Sequence, residues 1–534
     1  MSAHHRHPIF AGSIALLIFG LLALIVLHII ENFRGEGAWE AFRKQEPSLV
    51  LNPGAFETTL VADATNFAKI PLFQELYTYE LAKKKKNGKQ TSPRLLDIQL
   101  ASAKTKAPPP RHGSFQTATA YDFSAWQAYY RTIPGVYSTS PSAQPAEDVL
   151  IYLQRYQPIL QELTDAAKQH SSARYPAPKD GGATVYDMLL NVARVYSFRA
   201  SAEVAANQMP AALTDVEMIF FLANTLEQDS SLQNLLTRCA LVRVAIQPIW
   251  EGMVRHQWSD EYLYQLQKDL GRYAFLVDYT RVVQVGRANL IDSLGKLIPV
   301  STRWGRITNS LSSGDSFDSK MYKIFMLLAP GGWYQFNRIA VSRWTDAYLL
   351  VSVDARNHLI HKDIVEASIH VFDNASYSPF EVMAARSLRH IEKTVRYTAM
   401  SQVIVEEAFL ACALERYAMH HQTYPDTLQA LMPEFVTTLP SDVMTGAPLF
   451  YKYVPGKPFI LYSVGWDMVD NQGSFALQDR QQFTPDTEKG DWVWFNGAVA
   501  ISQVISNSKS GGTPSRSTPA PSQIGQTSFP SASQ

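Results

Sequence analysis

Apolar residues form only one long unbroken run in this chain. Ile9–Ile30 (IFAGSIALLIFGLLALIVLHII) carries no formal charge, and about 20 apolar residues span a bilayer core as a helix. A secretory signal would have a shorter apolar region, about 7–15 residues, and a small-residue cleavage site. Here the run is longer and exits into Glu31-Asn32-Phe33-Arg34. An uncleaved membrane anchor at 9–30 is expected, behind a short tail at 1–8. His28 falls near its far end, where an imidazole can reach the interface. Arg6 precedes the run, and Arg34, Arg43 and Lys44 follow it among Glu31, Glu36 and Glu40. Counted alone, these cations lean toward a cytoplasmic body. A short tail ahead of one span is instead the usual layout of an anchor with an exported body, and that is the expectation adopted.

Beyond the span the pattern becomes periodic. Residues 31–145 read as a juxtamembrane region that opens with an amphipathic segment (GAWEAFRKQ) and turns irregular. Within it, 83–111 is rich in Lys and Arg against a single acid, Asp97, and Pro108-Pro109-Pro110 forbids a helix there. Residues 146–398 read as an α-helical body. Val149, Leu153, Tyr156, Leu160 and Leu163 repeat at helical spacing. A second helix is expected over about 184–207 and a third from Pro210, a residue suited to a first helical turn. Short connections make such neighbours antiparallel pairs. The small residues Ala205, Ala206 and Ala212 suggest close, solenoid-like pairing, although no 34-residue period is present. Residues 298–340 read as irregular. Helices are expected at about 343–367 and 379–421, the latter with a break near 398.

The last patterned stretch, 399–500, reads as a small α+β module. Ile404, Ala408, Ala411, Cys412, Leu414 and Ala418 form an apolar stripe. The helix should stop at His420-His421, whose side chains suit the negative end of a helix dipole, and Tyr424-Pro425 forbids continuation. Strands are expected at 449–454 and 459–464, and the alternation at Trp492–Phe495 suits one more strand or an interfacial cover. From Asn507 the Ser/Thr/Pro/Gly-rich tail, 507–534, has too little apolar content to offset ordering entropy.

This order resembles the globular part of type II secretion major pseudopilins. The matching elements are Tyr424-Pro425, the turn from Pro440 to Pro448, Tyr451 and Tyr453, and Tyr462-Ser463-Val464-Gly465-Trp466-Asp467. In that family the loop after the last motif binds Ca²⁺. The resemblance therefore implies Asp467, Asp470 and Asn471 as calcium ligands, with carbonyls and water completing six to eight oxygens. Where the family ends this loop in Asp-Asp-Gly-Gly, this chain has Asp470-Asn471-Gln472-Gly473, one carboxylate poorer. No Gly-Phe-x-x-x-Glu leader precedes Ile9 and the helix is internal, so the match is to a module and not to a pilin subunit. Over most of its length the chain also looks like an uncharacterised family of single-pass bacterial envelope proteins. The matching segments are Arg34–Arg43, Asn66-Phe67-Ala68, Ala125-Trp126, Leu461–Gly473 and Gly490–Trp494. That likeness implies the bacterial inner membrane and no particular activity.

Charge and motifs narrow the remaining classes. Lys plus Arg and Asp plus Glu are both 48, so no global field favours nucleic acid. No aromatic residue interleaves with the lysines of 83–111, so base stacking has no support. That run reads as a solvated loop or a patch for anionic polymer or lipid. Two cysteines, Cys239 and Cys412, fall at apolar helical positions, where burial raises the thiol pKa instead of activating it. Asp354, His358 and His361 are spaced to share a helix face, either as a solvated polar face or as part of a zinc site. Tyr129, Tyr130, Trp250, Trp258, Tyr262 and Tyr264 would line a ligand groove or fill helix-pair cores. Nucleophile-elbow and phosphate-loop motifs are missing.

The sequence thus predicts a helix-dominated α+β protein with an N-terminal transmembrane helix, a helical-hairpin body and a C-terminal module of antiparallel strands. The expected role is a non-enzymatic envelope scaffold with protein partners. The alternatives are a secretion or pilus-like assembly component using a calcium-binding module and, more remotely, an envelope-polymer hydrolase.

Overall fold

The structure is a computed structural model that describes residues 7–50, 65–84, 92–101, 107–176, 185–228, 230–310, 316–479 and 484–497. The tail at 507–534 and much of the basic stretch 83–111 lie outside the described residues.

The first helix, α1 (His7–Gln45, 39 residues), contains the apolar run and does not stop at its end. From Leu16 to Ile30 its large apolar side chains face outward, whereas Trp39 and Phe42 are buried. The amphipathic segment expected to open the juxtamembrane region is therefore the end of the same helix, packed on protein. Helices α2 (Pro71–Lys84) and α3 (Phe123–Arg131) follow, the latter capped by Asp122, whose carboxylate accepts from Ala125 N.

The body is built from α4 (Pro145–Leu153), α5 (Gln157–Gln169), α6 (Val185–Ala205), α7 (Met209–Asn224) and α8 (Leu232–Val254). The expected second and third helices are α6 and α7, with Pro210 in the first turn of α7. Fully buried alanines let these helices approach closely: Ala193, Ala200 and Ala202 on α6, Ala212 and Ala223 on α7, Ala245 on α8. Ser231 caps α8, and Ser259 caps α9 (Asp260–Leu270). After α10 (Phe275–Gly295) the chain makes α11 (Val300–Ser310), α12 (Phe317–Leu328) and α13 (Gly331–Trp344). The region 298–340, expected to be irregular, is thus largely helical. Its helices are short, and Gly- and Ser-rich stretches at 312–314 and 331–332 that read as loops flank α12.

The helix expected over 343–367 is likewise replaced. α13 runs into a π-helical stretch, Thr345–Leu350, and then a two-residue hairpin, β1 (Val353–Asp354) with β2 (Leu359–Ile360). Asp354 drives the turn: Oδ1 accepts from Arg356 N and Asn357 N, and Oδ2 from Asn357 Nδ2. Local side-chain bonds of this kind compete with helix. α14 (Lys362–Ala375) and α15 (Val382–Leu388) lead to α16 (Ile391–His421), which passes through residue 398 without the expected break. Its end is as expected: His420 and His421 close the last turn, and Gln422 in the left-handed region donates to Ala418 O.

α16 is the hub of the main core, packing against α8, α9 and α10 on one side and against the C-terminal strands on the other. Its apolar length would suffice for a membrane, but it is mostly buried in protein. β3 (Phe450–Lys452), β4 (Ile460–Ser463) and β7 (Trp492–Phe495) form an antiparallel sheet in the order β3-β4-β7, and β5 (Phe475–Asp479) pairs with β6 (Thr484–Gly490). The sheet is fused to the body: Trp250 Nε1 donates to Phe495 O at 2.7 Å.

A second, smaller core gathers Trp39, Phe42, Ile291, Leu294, Tyr334 and Val341. It joins α1 to α10 and α13. Gly35 and Gly332 meet backbone to backbone in this crossing, leaving no room for a Cβ on either. α13 runs alongside α1 and away from the apolar run: Gly332 N donates to Asn32 Oδ1, Arg338 stacks over Trp39, and Arg343 reaches Glu46.

Candidate functional site

The expected calcium residues occupy one loop between β4 and β5, and each is held by the chain itself. Asp467 Oδ1 accepts from Val469 N and Oδ2 from Gly490 N. Asp470 Oδ1 accepts from Tyr462 Oη and Gln472 N, and Oδ2 from Gln472 Nε2. Asn471 donates its side-chain amide to Val469 O. The residue that closes the loop is Asp491, whose two oxygens accept from Asn471 N and Gly473 N at 3.0 and 2.7 Å. Burial pushes the Asp491 carboxyl up to about 6, against those donors. Among the described residues no three His, Cys, Asp or Glu side chains gather as a metal ion would require. A bound calcium ion would have to replace hydrogen bonds that already hold Asp467 and Asp470 toward different partners.

Behind this loop lies a buried acidic row that sequence reading missed. Asp442 organises the Pro440–Pro448 turn: its Oδ1 accepts from Met444 N and Ser463 Oγ. Glu406 and Glu407 of α16 are buried beside it, and burial raises all three carboxyls above the ordinary range. His358 Nε2 meets Glu406 Oε1 at 2.5 Å. Asp354, His358 and His361 do not share a helix face; they lie around the β1–β2 hairpin, and of the two histidines it is His358 that reaches the acids. Two acids in succession on a helix otherwise apolar at that turn were the available signal. Both cysteines are buried, and burial raises both thiols, as their pattern positions implied. Tyr130 and Trp258 are core residues, while Tyr264 is exposed.

Three concavities lie elsewhere, along α6, α8, α10 and α16. A cavity of about 420 Å³ is bounded by the loop 112–121 and by Arg194, Arg243, Gln247 and Tyr397. It shares Leu190, Ala240 and Tyr397 with a second of about 530 Å³, which adds Leu232, Leu236 and Lys393. That one shares Leu232, His390 and Thr394 with a third of about 190 Å³, lined by Val282, Leu290, Leu388, Ile391 and Arg287. The three make one groove. Its described lining contains Arg194, Arg243, Lys393 and Arg287 and no Asp or Glu.

The groove walls are built, not incidental. Gln247 on α8 pins the loop 112–121: its Oε1 accepts from Phe115 N at 2.6 Å, and its Nε2 donates to Thr119 O and Glu251 Oε1. Glu251 also accepts from Tyr121 N, and burial pushes its carboxyl up to about 7. Arg243 lies over the Tyr397 ring and donates to Gln116. Arg287 is 5% exposed, and its Nε and Nη1 have no hydrogen-bond acceptor; the paired carboxylate, on Asp346, is 3.7 Å away. Burial lowers its pKa. These cations come from helices far apart in the chain and from no local motif, so the sequence gives no joint signal for them.

No protein-family model, curated protein or solved structure matches this chain.

Proposed function

We propose that this is a membrane-anchored scaffold protein, held by α1 in a bacterial inner membrane with its body on the exported side, that captures an acidic amphipathic segment of a protein partner. The observation that carries this reading is the composition of the groove: apolar walls, four Lys or Arg side chains and no carboxylate among its described lining. An apolar stripe on the partner would fill the Leu190–Leu232–Leu236 floor, and its acids would meet Arg243, Lys393 and Arg287, the last of which is already desolvated and short of acceptors. The anchoring reading draws support from the continuity of α1, whose residues beyond the apolar run are part of the body's second core.

The test is site-specific photocrosslinking in native membranes from Gln233, which lines the groove, and from Lys268 on α9 as a reference. A stoichiometric partner is expected from Gln233 alone, and it should be lost when Arg243→Glu and Lys393→Glu are combined. A crosslink indifferent to that charge reversal, or equal from both positions, would overturn the reading.

A second reading, a secretion or pilus-like assembly component with a calcium-binding module, draws support from one arrangement. Asp467, Asp470 and Asn471 stand in a single loop drawn tight against Gly490-Asp491. Calcium would enter through Asp467 and Asp470, and thermal melting with calcium and then chelator tests it.

A further inference from the structure

The membrane end of the body carries a helical hairpin whose outer face is apolar and uncovered. α10 returns toward the bilayer, since Ile298, just past its end, and Asn32 of α1 both lie against Gly331. α11 (Val300–Ser310) starts at that level. α12 comes back to it: His28 Nε2 bonds Leu328 O at 3.0 Å. His28 stands at the end of the apolar run, so the C-terminal end of α12 lies where the span meets the headgroups.

The exposed residues of this hairpin fall in a pattern. Phe317, Met321, Ile324 and Leu328 recur at four- and three-residue steps and form one stripe on α12. Phe317 is 76% and Leu328 64% exposed. Val300 and Trp304, one turn apart on α11, are 65% and 60% exposed, and Phe33 on α1 is 75% exposed at the same level. Soluble surfaces rarely gather so much apolar area in one place.

The other face of the hairpin touches the body near the end of α12, beside a cavity of about 680 Å³ that Met321, Tyr322, Phe325 and Arg386 line. Phe325 stacks on Trp333, and Tyr334 Oη donates to Met326 O at 2.5 Å. Arg303, 2% exposed, ties the segments together. It donates to Leu297 O, Ile298 O and Ala329 O, the carbonyls that end α10 and α12.

We infer that the α11–α12 hairpin is a second membrane contact, lying in the lipid interface with Trp304, Phe317, Met321, Ile324 and Leu328 at the boundary of headgroups and acyl chains. This rests on α1 being an anchor, because His28 at the end of its exposed apolar run bonds Leu328 at the end of the stripe. An amphipathic helix lies in the interface plane with its apolar face inward, and Trp favours the headgroup level. Arg306 and Lys320 have stems long enough to carry their charges back to water. Tethering by α1 keeps the hairpin at high effective concentration beside the bilayer, so even a modest apolar face stays inserted.

The test uses the full chain in phosphatidylcholine–phosphatidylglycerol vesicles, with Cys239 and Cys412 replaced by Ala. A polarity-sensitive fluorophore is placed on Leu21→Cys, Phe317→Cys, Met321→Cys or Lys268→Cys, and lipids carry a quencher on the acyl chain. Strong quenching is expected at 21, 317 and 321 and little at 268. If 21 is not quenched, the anchor reading fails. If 21 is quenched while 317 and 321 match 268, only the hairpin proposal is overturned. Shielding of 317 and 321 in native membranes but not in vesicles also overturns it, in favour of a protein cover. As a second arm, Met321→Asn with Ile324→Asn should leave melting in detergent unchanged and raise tryptic cleavage at Lys320 and Lys323 several-fold in vesicles. Unchanged cleavage in a folded variant overturns the proposal, and the labelling decides if the variant unfolds.

Discussion

Gly35 on α1 and Gly332 on α13 touch through their backbones, and a Cβ on either would overlap the other helix. This contact seats the part of α1 beyond its apolar run against the body. Gly35→Val should force the helices apart at a cost of about 1–3 kcal/mol, the usual range for overpacking. The expected result is a lower melting temperature and faster proteolysis around residues 45–50. An unchanged melting curve would mean that the crossing is not tightly packed.

Glu251 sets a pH dependence. Its carboxyl titrates near 4.5 when unfolded and is pushed up to about 7 by burial in the fold. Between those values the folded state holds a proton that the unfolded state has released, so stability falls as pH rises through the window and levels off above it. Glu251→Gln removes this term and should flatten the profile there, with a gain at pH 8 on the order of 1–3 kcal/mol. Parallel slopes for the two proteins in chemical denaturation would refute the assignment.

Arg287 should trade stability for binding. Its guanidinium is buried with two nitrogens short of acceptors, a costly arrangement. Arg287→Met, which keeps an apolar stem, is expected to be neutral or stabilising by about 1–3 kcal/mol, while weakening partner capture at the groove. A large fall in melting temperature would instead make the distant Asp346 pair structural.

Asp491 and Asp467 separate two accounts of the C-terminal loop. Asp491→Ala leaves the amides of Asn471 and Gly473 without their acceptor and should cost on the order of 1–3 kcal/mol whatever the ion content. If the loop also takes calcium, adding the ion should raise the melting temperature reversibly, and Asp467→Ala should abolish that rise. A melting temperature indifferent to calcium and chelator would remove the calcium reading and leave the hydrogen-bonded loop.

The parts of this fold that are legible in the sequence are those where one local signal dominates. The apolar run of α1, the periodicity and Pro210 boundary of α6 and α7, and the strands around Tyr462 and Trp494 are of this kind. Where two signals compete, the sequence misleads. Asp354, His358 and His361 have helical spacing, but the Asp354 carboxylate captures the next backbone amides and makes a hairpin. Gly331-Gly332 looks like a loop because glycine usually marks one, yet here its missing side chain permits contact between helices. The helices α11 and α12 escape notice because they are short and lie between Gly- and Ser-rich stretches, Ser312-Ser313-Gly314 and Gly331-Gly332, that read as loops. The groove is illegible for a different reason: Arg194, Arg243, Arg287 and Lys393 converge only after four helices have packed.

The unbroken passage of α1 from apolar run to body has a mechanical consequence. At 1.5 Å per residue its 39 residues make a rod of roughly 60 Å, with no break where the apolar run ends. A span longer or shorter than the local hydrocarbon thickness changes its tilt. With α1 as the anchor proposed above, any such change would swing the body with it. Membrane thickness would then act on this protein as a hand acts on a lever.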